Sequence, residues 1–205
     1  MGTSLAELLA QERAELIELL RTVTGDEWEQ PSLCAGWRVR DVLGHMLNGT
    51  VPLPIYSAVL VRSGFSVDRC NARLVRRTAD LPPGVMVDRF ASTVGWIARM
   101  SPVLALSSLF VHQQDIRRPL GRERQIPTER MLAVLDHPDP FAKPKRYTQG
   151  LRMVATDVDW ASGAGPEVRG PGEAIVLAMV GRGAAVNDLH GDGITTLRER
   201  CRAVD

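Results

Sequence analysis

Proline brackets the stretch over residues 102–118, with Ser101-Pro102 at its start and Pro119 at its end. Proline is tolerated in the first turn of a helix, where its missing N–H costs nothing, and it cannot continue one. The stretch between, LALSSLFVHQQDIRR, is therefore predicted to be a single helix. The same punctuation divides the preceding chain into helical lengths. Breaks fall at Thr24-Gly25, at Pro31 with Gly36, at Pro52 with Pro54, and at Pro82-Pro83-Gly84.

Between these breaks the apolar spacing is helical. Leu5, Leu8, Leu9, Leu16, Leu19 and Leu20 recur at steps of three and four, which predicts a first helix over 3–22. Val39, Val42, Met46 and Leu47 mark a second helix from about residue 39. The apolar stretch 49–64 reads as its interrupted continuation. A third helix is expected over 85–99, the proline-bounded one over 102–118, and a short one over 128–135. The pattern then changes. RMVATDVDW followed by ASGAGPEVRG reads as a strand, a Gly-rich turn and a second short strand. An apolar helix over 171–182 and a last helix over 194–202 follow. Helices first and a small mixed tail afterwards give an α+β class, mainly α. The expected organisation is a helical bundle over 1–146 and a small C-terminal α/β region over 147–205.

Charge and composition exclude several functions. With 25 basic and 24 acidic side chains the formal charge is +1, which supplies no field for general phosphate binding, so no nucleic-acid partner is expected. No run of 18 apolar residues occurs, so no membrane span is expected. MGTSLAELLAQERAEL lacks the basic-then-apolar pattern of a signal segment. Cys34, Cys70 and Cys201 are odd in number and far apart, which fits neither a disulfide framework nor a CxxC zinc motif. A reduced, cytoplasmic setting is the expectation.

Four histidines remain as candidate ligands or bases: His45, His112, His137 and His190. His45 and His112 fall in the middle of different helices, and bundle cores build metal sites from inward side chains on separate helices. Each also has the simpler reading of a packed or surface histidine. Ser108, His112 and Asp115 share one helix face by their spacing. Asp115 can orient the His112 imidazole as an outer carboxylate, or pair with Arg117 or Arg118. Cys34 lies in the turn before the second helix, where a thiol is either activated by the helix N-terminus or a small buried side chain. His137 in DHPDP and His190 in DLHGDG read as loop residues.

Three segments together resemble one family. PSLCAGWRVRDVLGHML (31–47) resembles a signature of the mycothiol-dependent maleylpyruvate isomerase family, of the DinB-like superfamily of metal-binding four-helix bundles. VHQQDIRRPLG (111–121) resembles its second signature, and residues 154–182 resemble its small C-terminal region. The resemblance implies a DinB-like four-helix bundle holding a divalent metal, zinc or nickel, through His45 and His112. A third ligand is implied four residues before His112, where this chain has Ser108. It further implies mycothiol as thiol cosubstrate and a thiol-dependent transferase or isomerase acting on a small electrophilic molecule. A homodimer is compatible with it, as is an actinobacterial source given the arginine-heavy composition. The alternative is a non-catalytic member with a degenerate metal site, binding a small ligand or a protein.

Overall fold

The computed structural model describes residues 2–202. Eleven helices run in chain order: α1 (Leu5–Thr22), α2 (Val39–Met46), α3 (Leu53–Arg62), α4 (Val67–Arg76), α5 (Pro83–Ser92), α6 (Trp96–Met100), α7 (Pro102–Arg117), α8 (Thr128–Asp136), α9 (Lys145–Thr148), α10 (Gly172–Met179) and α11 (Ile194–Arg202). Strands β1 (Arg152–Ala155), β2 (Ala161–Gly163) and β3 (Glu167–Gly170) lie between α9 and α10. The protein is thus mainly helical with one small sheet. It forms two compact units, one over residues 6–123 and the other taking in the residues before Ala6 and those from Arg124 onward.

The core of the first unit is built by the periodic positions. Leu16, Leu19 and Leu20 of α1 pack with Val39, Val42 and Leu43 of α2, with Met86, Val87 and Phe90 of α5, and with Ile116 of α7. The second half of α7 is buried on every side, and its polar residues Gln113, Gln114 and Asp115 are buried with it. A helix enclosed all round must satisfy its polar groups inside the protein. That requirement puts chemistry into the interior of the unit.

The single helix expected over 85–99 is two helices. Thr93 takes extended dihedrals (φ −123°, ψ 124°), and Gly95 is extended as well (φ −65°, ψ 157°), so the chain turns between α5 and α6. Two causes are visible. Thr93 and Val94 are β-branched and lose side-chain freedom in a helix. In addition, the Arg13 guanidinium donates hydrogen bonds to the carbonyls of Phe90, Ala91 and Thr93, the last two at 3.1 Å. Those are the carbonyls that a helix end leaves without partners. Arg13 lies on α1, far from α5 in sequence.

In the second unit the sheet order is β2-β1-β3. β1 pairs antiparallel with β2 (Met153 opposite Ser162) and parallel with β3 (Met153 opposite Val168). The sequence reading of two strands joined by a turn missed β2. Its three residues are all exposed, so no apolar alternation marks it. α10 follows with every residue but Glu173 buried, and the Asp157 carboxylate accepts a hydrogen bond from Gly172 N–H at its first turn (2.8 Å). Among the described residues no helix is long and apolar enough to cross a membrane.

Candidate metal centre

The turn before α2 is closed by its own polar groups. Ser32 and Trp37 are joined by two hydrogen bonds, from Ser32 N–H (2.9 Å) and Ser32 Oγ–H (2.8 Å) to the Trp37 carbonyl. Ser32 Oγ accepts from Cys34 N–H at 3.1 Å, the local bond that makes serine a turn residue. Gly36 sits at φ +73°, a conformation that a side chain would strain. Asp41 then starts α2, its Oδ2 accepting from Arg38 N–H at 3.0 Å and from Arg38 Nε–H at 2.9 Å. Burial works against ionisation of Asp41, but the Arg38 hydrogen bonds outweigh it and hold this carboxyl below its ordinary range.

This closed turn is fastened to α7. Leu33 N–H donates to the Asp115 carbonyl at 3.1 Å. One residue further on, the Cys34 thiol donates to Asp115 Oδ2, also at 3.1 Å. The same oxygen lies 3.0 Å from His112 Nδ1. Asp115 is fully buried and His112 is 9% exposed. The contact holds the His112 ring by its Nδ1 edge. Asp115 thus joins a thiol and an imidazole through one oxygen. The donor atoms of Cys34, His112 and Asp115 all lie within 4.8 Å of one another.

His45 of α2 meets His112 edge to face, with ring centroids 4.8 Å apart and planes at 82°. On its other side Trp37 packs at 5.2 Å. His45 Nδ1 faces the Asn48 amide nitrogen at 3.2 Å, and the same nitrogen donates to Asn71 Oδ1 at 3.3 Å. The Asn48 amide thus bridges the His45 ring and Asn71. Asn48 and Asn71 were not singled out in the sequence, and nothing in their local spacing marks them.

The residues read from the sequence therefore divide as follows. His45, His112 and Asp115 come together, and Cys34 joins them from the turn. Ser108 is half-buried one turn before His112 and offers only a hydroxyl. His137 and His190 are exposed; His190 contributes its backbone, in a bridge to Arg169. Cys70 and Cys201 are fully buried, and burial pushes the Cys70 thiol up from its ordinary value. The assembled donors are imidazole nitrogen, thiol sulfur and carboxylate oxygen. This mixture suits zinc and its neighbours in the first transition row. A histidine whose far nitrogen is fixed by a carboxylate is the usual state of a metal-bound imidazole. The residues present thus fit a divalent metal.

Comparison with known proteins agrees with the family resemblance. Residues 9–51 match the family model described as the mycothiol maleylpyruvate isomerase N-terminal domain. This segment contains the signature over 31–47 and includes Cys34 and His45. Two solved structures share the fold: the mycothiol-dependent maleylpyruvate isomerase and its histidine-to-alanine variant. Each has a TM-score of 0.53 and 13% identity, covering 92% of this chain and 91% of the other. Comparison with curated proteins gave no match.

Proposed function

We propose that this chain, with the isomerase family's N-terminal domain over residues 9–51, is a divalent-metal protein that performs thiol-dependent transfer or isomerisation. Its substrate would be a small electrophile, and its thiol a low-molecular-weight cosubstrate such as mycothiol. The observation that carries this reading is the setting of His112, with Asp115 Oδ2 3.0 Å from one ring nitrogen and the His45 ring against its edge. When bound, the metal would lower the pKa of a thiol and hold the thiolate for attack. The chain's own contribution is positional. Asp115 keeps the His112 ring in one orientation. Asn48 and Trp37 do the same for His45. Burial of the carboxylate excludes water from the back of the site.

Metal analysis of protein purified without a histidine tag tests this, together with thermal melting in zinc or nickel. Ligand at about 100 times its dissociation constant adds roughly 2.7 kcal/mol to stability. His112→Ala should abolish that gain. A metal-free protein whose melting is unmoved by either ion, and which consumes no thiol, would refute the proposal.

Ser108 favours a second reading, a member that keeps the bundle but has lost the metal and binds a small ligand or a protein. On that reading Ser108→Glu creates metal affinity that the wild type lacks. Tight binding by the wild type rules it out.

A further inference from the structure

The formal charge of the chain is close to zero, but it is unevenly spread. Of the 25 basic and 24 acidic side chains, residues 53–77 hold five arginines and one aspartate, a local charge of +4. The rest of the chain keeps 20 and 23, a charge of −3. The basic stretch is the pair α3 and α4 with the turn between them. We propose that this pair is a docking surface for an anionic lipid bilayer, with Phe65 entering the interface and the arginines beside it holding the headgroups.

The two helices have opposite characters. α3 carries one charge, Arg62, in ten residues, and none of its residues is buried. A helix that is apolar on all sides is ordinarily enclosed, yet Leu53, Ile55 and Val61 are exposed. In α4, Cys70, Leu74 and Val75 are buried, and Arg69, Arg73 and Arg76 recur at steps of four and three along the exposed side. Among the described residues the guanidiniums of Arg62, Arg69, Arg76 and Arg77 make no ion pair, whereas Arg38, Arg40 and Arg122 each meet a carboxylate.

The turn between the helices presents the apolar tip. It is closed by backbone hydrogen bonds from Phe65 N–H to the Leu60 carbonyl (3.0 Å) and from Ser66 N–H to the Ser63 carbonyl (3.3 Å). Phe65 sits there at φ +58° and is 73% exposed. A bulky side chain adopts that conformation only under strain, so this ring stands in water against both its backbone preference and its hydrophobicity. Cations flank it. Arg73 donates to the Arg62 carbonyl at 2.6 Å, and a Cβ at Gly64 would stand 3.2 Å from the Arg69 guanidinium. An apolar tip between unpaired arginines matches a bilayer surface, where acyl chains lie just beneath phosphate groups. Nucleic acid calls for a basic groove with several stacking aromatics. A second copy would set this positive face against itself across a two-fold axis.

Cosedimentation of the full chain with lipid vesicles provides the test. At low salt the protein should bind vesicles of phosphatidylcholine with about 30% phosphatidylglycerol and leave phosphatidylcholine alone unbound. Sodium chloride at about 0.5 M should release it. Arg69→Gln combined with Arg76→Gln should weaken the partition by about 30-fold. Phe65→Gly removes the ring from a backbone that suits glycine better. It should weaken the partition by about tenfold without lowering the melting temperature. Equal binding to both kinds of vesicle, or to neither, overturns the proposal, as does binding that both variants retain in full. Tighter binding to single-stranded RNA or to polyglutamate than to anionic vesicles overturns it in favour of those partners. A wild-type dimer in analytical sedimentation that Phe65→Gly converts to monomer overturns it in favour of a second copy.

Discussion

The contact between Gly95 and Gly49 gives an asymmetric prediction about stability. Gly95 precedes α6, and Gly49 lies in the 3₁₀ turn that follows α2. A Cβ added at Gly95 would stand 2.7 Å from the Gly49 carbonyl oxygen and 2.9 Å from its carbon. Both partners are backbone, so relief requires one chain segment to recede by several tenths of an ångström. The Gly95 dihedrals are allowed for alanine, and the cost of Gly95→Ala is therefore steric alone. Overpacking of this kind costs about 1 to 3 kcal/mol. At about 2 to 4 °C per kcal/mol for a chain of this size, the melting temperature should fall by about 2 to 12 °C. The reverse substitution behaves differently. A Cβ at Gly49 meets nothing closer than Gly95 Cα at 3.9 Å, an ordinary contact. Gly49→Ala in a helical turn should be neutral or stabilising by up to about 1 kcal/mol. Gly84→Ala, with nothing within 4 Å, is the control. Thermal melting by circular dichroism on the three variants decides the matter. Equal melting temperatures for Gly95→Ala and Gly84→Ala would refute the close approach of the two glycines.

Other outcomes are equally open to measurement. Asp115→Asn keeps the shape but removes the charge that fixes His112, and should weaken zinc binding by about 10- to 100-fold or more in a competition titration; unchanged affinity would contradict any role for Asp115 at the site. Arg13→Ala removes the donor that caps the end of α5 and should cost about 1 to 3 kcal/mol in urea unfolding, with Arg13→Lys recovering part of it. Glu27 is held below its ordinary value by Thr24 N–H and Arg122, Glu29 by Arg40, and Asp41 by Arg38 against the opposing effect of burial. Groups with depressed native values stabilise the fold above their unfolded values and lose that contribution as pH falls through the native ones. Stability should therefore be level with respect to these groups above about pH 5 and decline below about pH 4; a flat profile down to about pH 2.5 would contradict the assignment.

The helices that proved legible in the sequence are those whose signal is local. The leucines of α1, the prolines around α7 and the valines of α2 each declare a helix within a few residues. The division between α5 and α6 was hidden because part of its cause lies elsewhere: Arg13 caps the carbonyls of Phe90, Ala91 and Thr93 from a different helix. β2 was hidden because an exposed three-residue edge strand has no buried face to alternate against. At the site, His45 and His112 could be picked out from their positions in helices and from the resembled signatures. The spacing of Asp115 put it on the face of His112, and the arginines beside it offered an equally local alternative. The approach of Cys34 to Asp115 could not be read, since 81 residues separate them. The available signal was the self-closing turn of Ser32, Cys34 and Gly36, which marks a rigid loop but not what it faces.

That separation bears on how the unit folds. The Leu33–Asp115 and Cys34–Asp115 bonds join segments some 81 residues apart within the 6–123 unit, so they form only when the intervening helices have already brought α7 beside the turn. Any partly folded form with α7 undocked has no site at all. A ligand bound there would consequently stabilise the complete unit and none of its fragments. Occupancy would then act as a measure of folding completion, and amide exchange across α1, α2 and α7 would slow together when the site fills.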